Sequence, residues 1–375
     1  MVINISENIA LLRKKKGISQ EELAKIFGVS NQAVSKWEAG KCCPDIALIP
    51  DLAFFFGVTV DELLCGKKSS ITRYLIGIDG GGSHTEGILC SADGKVCKSL
   101  RVGPSSVGTD RKESEKNIVS LISLLIEELG ENDTVECLCA GISGCGNVQN
   151  RMHYYKLLEK NFPNIKKIEV ENDIGLLAYS LGVRKNVVIT ICGTGCVAVA
   201  LADDGVSRVD GYGHLIGDDG GGYSIGRDTL RAILRQSDGR GGETLLTKLF
   251  FERDGKSALE SLPEINREGK QRIASYAPLA FEAAKAGDKI ATDILEKAVF
   301  ALCNTVRAAS RHISVSPVPI IMGGSIWIAG GGYVKDRVQE ILSDGYEWLL
   351  PDKSGAYGAV IHAAELSDIS DFKIE

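Results

Sequence analysis

The chain has 375 residues and a formal net charge of −6, a length that predicts two or three domains and a charge ordinary for a cytoplasmic protein. No apolar stretch approaches membrane-spanning length and no charged-then-apolar leader precedes the first helix, so the expectation is a cytoplasmic protein with no membrane partner. Eleven cysteines fall without metal-ligand spacing. Cys42-Cys43 and Cys137-Leu138-Cys139 are too close for ordinary disulfides or zinc knuckles, which predicts buried free thiols.

The first predicted helix, Ile5 to Lys16, supplies Ile9 and Leu12 to a core. Ser19 followed by Glu22 three residues later is a capping box, and it opens a short helix through Phe27. Gly28-Val29-Ser30 makes a tight turn, and Ser30 caps a second helix from Asn31 to Gly40. Leu23, Ala24, Phe27, Val29, Val34 and Trp37 fit the inner faces of two helices crossing steeply. Helices over 45–56 and 60–64 are expected to add Ile46, Leu52, Ala53, Phe56 and Leu63.

Over Ile5 to Gly66 this pattern resembles the Cro/C1-type helix-turn-helix, through Ser-Gln-Glu-x-Leu-Ala and Val-Ser-x-x-x-Val-Ser-x-Trp-Glu-x-Gly. The resemblance implies double-stranded DNA as partner, with the second helix in the major groove. Asn31, Gln32, Ser35 and Lys36 would face base edges, where Asn and Gln pair with adenine and Lys with guanine. Gln20, near Lys14, Lys15 and Lys16, would touch phosphates. Seven Lys/Arg against eight Asp/Glu in residues 1–66 make binding depend on charge clustering. One copy per chain implies a homodimer on a short palindrome.

A polar segment, 67–72, reads as a linker. The apolar strand Tyr74 to Ile78 then delivers Asp79 into Gly80-Gly81-Gly82-Ser83 before a second strand. Three glycines permit positive φ and leave backbone N–H groups free to cradle an anion. Asp79 beside them makes sense only with a divalent metal or metal-bound water between carboxylate and phosphate. No Gly-Lys-Ser/Thr occurs and no helix follows, which excludes a P-loop or dinucleotide fingerprint. Val187 to Ala198 repeats strand, glycine turn, strand around Gly193-Thr194-Gly195. Between the two turns a short strand ends at Asp173 and runs into an apolar helix; an N-terminal cap is the alternative for that Asp. Gly211 to Gly226 is too glycine-rich for a regular element and too polar for core, and reads as a substrate loop.

The ordered motifs Asp-Gly-Gly-Gly-Ser-x-Thr, Asn-Asp, Gly-Thr-Gly, Gly-x-Gly-His-x-x-Gly-Asp-x-Gly and Gly-Gly-Ser-Ile-Trp (323–327) resemble the N-acetylglucosamine kinases. These sit among the BadF/BadG/BcrA/BcrD-type ATPases of the actin/hexokinase superfamily. The resemblance covers about Tyr74 to Glu365. It implies an α/β fold of two ribonuclease-H-like lobes (73–184 and 185–375) behind an all-α helix-turn-helix domain (1–66), with ATP in the cleft. By that resemblance Asp79, Gly80, Gly81, Gly82, Ser83 and Thr85 form the first phosphate site and hold Mg2+ through water. Gly193, Thr194 and Gly195 form the second, and Gly323 and Gly324 face adenosine. Asp173 is the general base, and His214 and Asp218 belong to the sugar loop. Where the sugar kinases carry a sugar-contacting Asn, this chain offers Ser106, which leaves the identity of the sugar open.

The expected chemistry is phosphoryl transfer from Mg-ATP to a sugar hydroxyl, with Asp173 accepting the proton. Two other readings are a transcription regulator whose kinase-like half only senses a sugar, and an ATPase that activates an acyl-CoA dehydratase or reductase. The second needs an iron–sulfur cluster held by paired cysteines, and only Cys145 lies near a suitable loop.

Overall fold

The computed structural model describes residues 5–65, 72–108, 110–130 and 132–375. The expected linker, 67–72, falls outside them except for Thr72. The described chain forms two compact units that divide near Thr72.

The first unit contains α1 (Ile5–Lys15), α2 (Gln20–Ile26), α3 (Asn31–Glu38), α4 (Ile49–Phe56) and α5 (Val60–Cys65). Ser19 accepts the Glu22 N–H at 3.1 Å, and the Glu22 carboxylate accepts the Ser19 N–H at 2.7 Å, closing the capping box. Ser30 caps α3 through the Ala33 N–H. Ile9, Leu23, Ala24, Val34, Trp37, Leu52, Ala53, Phe56 and Leu63 are buried together, with Leu12, Phe27 and Val29 packed against them. Ile46 departs from expectation and is 83% exposed. Asp45 caps a single 3-10 turn there, and Pro50 restarts the chain as α4, so Ile46 falls out of phase with the buried face.

The second unit begins with β1 (Arg73–Gly80), β2 (Thr85–Ser91), β3 (Val96–Val102), α6 (Arg111–Ile126), β4 (Thr134–Ile142), α7 (Val148–Asn161), β5 (Ile168–Glu171) and α8 (Asp173–Ser180). There follow β6 (Val187–Cys192), β7 (Cys196–Ala202), β8 (Gly205–Asp210), α9 (Gly222–Ser237), α10 (Leu245–Asp254), α11 (Ala258–Glu268), α12 (Lys270–Ala274), α13 (Ala277–Lys285) and α14 (Lys289–Ser310). The chain closes with β9 (Val318–Gly323), α15 (Tyr333–Leu342), β10 (Tyr346–Leu349) and α16 (Gly355–Leu366).

The two sheets have the same plan. Strand order is β3-β2-β1-β4-β5 in one and β8-β7-β6-β9-β10 in the other. In each, the first three strands form an antiparallel meander. This is the two-sheet α/β architecture expected. Helix α11 carries Pro263 in its interior, and β10 is only four residues on a sheet edge. The helical run over 270–285 is two helices, because Pro278 has no N–H to continue α12 and instead sits in the first turn of α13.

Helix α16 follows the second sheet in sequence but packs on β1, β2 and α8 of the first. Glycines allow this approach. A Cβ on Gly77 would lie 2.6 Å from the Val360 nitrogen, and one on Gly358 would lie 3.1 Å from the Ser180 nitrogen. Helix α8 faces both ways: Leu176 joins the core under α16, whereas Ala178 joins Val187, Ile189 and Ile321 of the second sheet. Cys90, Cys137, Cys139, Cys145, Cys192, Cys196 and Cys303 are buried thiols as expected, but Cys42, Cys43 and Cys97 are exposed. No described helix is long and apolar enough to cross a membrane.

Candidate active site and DNA-facing helix

In the first lobe, Asp79 is the last residue but one of β1 and Asp173 begins α8, which brings two half-buried carboxylates within electrostatic reach. Burial, then the charges of Asp173 and Glu86, push Asp79 up to about 7, against one stabilising hydrogen bond from the Gly355 N–H at the start of α16. Asp173 is not the cap of α8. Asn172 fills that position, with its side chain 3.2 Å from the Ile174 N–H. Burial raises Asp173 to about 6, opposed by the Ile174 N–H, its own N–H, the Ser143 hydroxyl and the charge of Arg208. Two poorly solvated acids at the mouth of a glycine turn are set up for a cation or for proton transfer.

The first glycine turn is built by close approach and not by positive φ, since Gly80, Gly81 and Gly82 all keep ordinary backbone angles. A Cβ on Gly80 would lie 3.2 Å from the Ser105 Cβ and 3.3 Å from the Gly141 oxygen. The Ser143 N–H donates to the Gly80 oxygen at 2.8 Å and the Ser105 N–H to the Gly81 oxygen at 3.0 Å. Gly82 and Ser83 are exposed. Thr85 does not belong to the phosphate-facing set. It is fully buried, and its hydroxyl donates to the Gly103 oxygen and pairs with the Ser105 hydroxyl. Thr85 opens β2, a strand buried along its whole length. The Ser114 hydroxyl donates to the Ser105 carbonyl oxygen and meets the Tyr154 hydroxyl, which with the Thr85–Ser105 pair holds the loop bearing Ser106 next to Gly82.

In the second lobe, Gly193-Thr194-Gly195 turns between β6 and β7. The Gly222 and Tyr223 N–H groups at the start of α9 donate to the Gly193 and Thr194 oxygens at 2.7 and 2.8 Å. Asp210 organises the adjoining substrate loop. Its carboxylate accepts the N–H groups of Gly211, Asp218 and Asp219 at 2.7, 2.8 and 3.2 Å. Asp218 is buried in a left-handed conformation (φ 61°), a strained state for a non-glycine residue. Its carboxylate accepts a hydrogen bond from Lys270 at 3.1 Å. His214 stacks edge-on against Tyr223 with ring centres 4.7 Å apart, while Leu215 and Ile216 at the loop tip are exposed.

A cavity of about 790 Å³ opens beside the second turn, lined by Gly193, Thr194, Gly222, Ala277, Pro278, Phe281, Ile326 and Gly330, with Gln271, Ser275 and Glu282 as polar groups. An apolar pocket with few polar groups suits a planar heterocycle. Gly323 and Gly324 do not line it. A Cβ on Gly323 would meet Ile191 and Leu177, and one on Gly324 (φ 92°) would meet the Cys192 backbone, so both face the sheet. The wall comes from the following residues, Ser325 to Gly331.

Sequence reading missed Ser143, Asp210, Lys270 and Gly355. Asp210 carried a local signal as the acid preceding the glycine run. Lys270 carried none, because 52 positions separate it from Asp218. Among the described residues no cluster of three or more His, Cys, Asp or Glu forms a metal cage. Asp79 and Asp173 fit a hard cation that keeps most of its own waters, as Mg2+ does.

In the first unit, Asn31, Gln32, Ser35 and Lys36 are all exposed on α3, opposite buried Val34 and Trp37. Gln20 differs from expectation. Its amide donates to Glu38 at 2.8 Å, and Glu38 also accepts both ends of the Arg13 fork at 2.5 and 3.0 Å. A largely buried Glu38 needs those donors, so Gln20 is tied into the α1–α3 joint in place of a free phosphate contact. Lys16 lies over the Phe55 ring at 4.5 Å, while Lys14 and Lys15 are exposed.

Comparison with known proteins agrees with this division. The profile of the BadF/BadG/BcrA/BcrD ATPase family matches residues 76–363, and a helix-turn-helix profile matches residues 9–63. The chain is 30% identical over 313 residues to the N-acetylmuramic acid/N-acetylglucosamine kinase of Clostridium acetobutylicum, covering 79% of this chain and 100% of that protein. Its N-terminal part is 41% identical over 66 residues to the HTH-type transcriptional activator BcrR of Enterococcus faecalis, covering 18% of this chain and 32% of that one. The fold matches a crystal structure described as an N-acetylglucosamine kinase from Chromobacterium violaceum, with a TM-score of 0.64 and 23% identity over 77% of this chain and 98% of that one. The chain belongs to the BadF/BadG/BcrA/BcrD ATPase family and carries a helix-turn-helix module at its N-terminal end.

Proposed function

We propose that this chain is a cytoplasmic, Mg-ATP-dependent sugar kinase joined to a sequence-specific DNA-binding module. The modules divide as 1–66, 73–184 and 185–375. The observation that carries the kinase reading is the pair Asp79 and Asp173, half-buried side by side at a glycine turn and raised to about 7 and 6. A resting scaffold gains nothing from two such acids, whereas phosphoryl transfer uses both. Mg-ATP would supply the phosphoryl group, with Asp79 holding the metal through water and Gly80 to Ser83 and Gly193 to Gly195 cradling the phosphates. Asp173 takes the proton of the attacking sugar hydroxyl, with the Ser143 hydroxyl and the Ile174 N–H fixing its carboxylate. Asp218, His214 and Ser106 contact the sugar, an N-acylated or free amino sugar or a hexose; the curated kinase relative favours N-acetylglucosamine or N-acetylmuramic acid.

A coupled assay with Mg-ATP across amino sugars and hexoses tests this. Phosphorylation of at least one supports the kinase reading, and turnover of none leaves the sugar-sensor reading, in which the same residues bind ligand without transfer. The activator reading is disfavoured because it needs paired cysteines and, among the described residues, Cys145 is the only cysteine on the Gly141–Gly146 loop, while the Gly-His-Leu-Ile-Gly-Asp loop favours a sugar. On the DNA side, a homodimer reads a palindrome through Gln32, Ser35 and Lys36, and sugar or nucleotide alters its affinity. Titration of labelled operator with and without sugar and ATP analogue checks the coupling, which must be reciprocal. Equal DNA affinity in every ligand state would show two modules merely tethered.

A further inference from the structure

Asp218 poses an electrostatic problem that the proposed reaction does not by itself solve. Its carboxylate is buried and lies directly against the second glycine turn, so near that a Cβ on Gly195 would sit 2.8 Å from its carboxyl carbon. A fixed negative charge there opposes any polyanion bound by the Gly193–Gly195 backbone, and low solvent access makes the repulsion strong. The one cation bonded to it among the described residues is Lys270, at 3.1 Å. Lys270 is the first residue of α12, and the next residues of that helix, Gln271 and Ala274, line the 790 Å³ cavity. A single short helix therefore joins the neutralisation of the sugar loop to the wall of the nucleotide cavity.

We propose that Lys270 is a positioning residue that screens Asp218 from the nucleotide phosphates, so that one carboxylate can serve the sugar while a polyanion occupies the adjacent turn. This rests on the kinase reading above. It makes nucleotide affinity, measured without sugar, depend on Lys270 only while Asp218 is charged. A purely structural role predicts no such dependence.

The test is calorimetric titration of the full-length protein with Mg-AMPPNP, with no sugar present. Lys270→Met is expected to weaken binding about tenfold, the size of one lost charge interaction near a protein surface, and Lys270→Arg to stay within about threefold of wild type. The double variant Asp218→Asn/Lys270→Met is expected to recover most of the lost nucleotide affinity, because the charge to be screened is gone. Asp218→Asn alone bears on sugar affinity instead. Melting curves taken in parallel separate these effects from misfolding. Failure of Lys270→Met to weaken binding in a folded protein overturns the inference, as does a double variant no better than the single one; in either case a wild type that binds Mg-AMPPNP leaves the kinase reading standing. A wild type that binds no Mg-nucleotide removes both.

Discussion

The two glycine turns occupy equivalent places in sheets of identical strand order, yet their electrostatic surroundings are opposite. The first turn sits beside Asp79 and Asp173, two half-buried acids both raised toward neutrality despite the charge of Arg208 near Asp173. The second sits beside Asp218, whose charge is already met by Lys270. A duplicated backbone thus carries divided labour. On the proposed reading, the first lobe is completed by a cation and a proton acceptor, and the second brings its own counter-charge in Lys270. The lesson is that shared topology places the turns, while single side chains arriving from distant helices decide what each turn can hold.

The largest expected effect breaks the first side of this comparison. Asp173→Asn keeps shape but removes the proton acceptor, and should lower turnover by about 10² to 10⁴ with nucleotide and sugar binding largely kept. Steady-state kinetics alongside equilibrium binding checks it, and a variant with more than half the wild-type turnover sinks the assignment.

A second prediction uses pH. The proposed reaction uses Asp79, raised to about 7, and Asp173, raised to about 6, in their ionised forms, so kcat/KM should begin to fall below about pH 7 and drop by more than tenfold per unit below about pH 6. The second lobe contributes no such group to the mechanism. A profile flat down to pH 5 would remove Asp173 from the role of base.

Stability offers a smaller but cleaner contrast. Asp79 has a folded-state value of about 7 against an ordinary 3.8. A raised acid costs stability fully above pH 7, and that cost fades as pH falls toward 4. Asp79→Asn removes the cost and should raise the melting temperature of the ligand-free protein at pH 8 by about 2 °C or more, with the gap closing toward pH 4. The same variant should lose Mg-ATP-dependent turnover. A variant that melts lower at pH 8 would mean that the Asp79–Gly355 hydrogen bond outweighs the burial of charge.

The smallest effect concerns specificity. Ser106→Asn lengthens the side chain beside Gly82 and restores the amide that the sugar kinases carry, and should improve turnover on N-acetylglucosamine a few-fold. Comparison of kcat/KM across the sugar panel decides it, and an equal change for every sugar would place Ser106 outside the sugar site.

Much of this was legible in the residues because it is local. The capping box of Ser19 and Glu22 spans one helical turn, so sequence alone contains both partners. The strand–glycine turn–strand units around Asp79 and Gly193, and the exposed face Asn31, Gln32, Ser35 and Lys36, follow from periodicities of two and 3.6 that need no knowledge of the rest of the chain. Thr85 shows where local reading stops. A motif position beside a glycine turn looked phosphate-facing, but β2 is buried along its whole length and the Thr85 hydroxyl pairs with Ser105. Gly323 and Gly324 were near the right wall but turned toward the sheet.

The sequence by itself determined the order of the modules, the strand–turn–strand repeats, the helix-turn-helix and the acids Asp79, Asp173 and Asp218, because each depends on residues within a few positions of one another. Only tertiary structure decided that α16 returns to the first sheet to set Gly355 against Asp79, that Ser143 steadies Asp173, that Gln20 is committed to Glu38, and that Lys270 meets Asp218. These contacts join residues far apart in the chain. Whether a buried charge is paired depends on which distant element the packing of the core brings to it, and no local pattern encodes that.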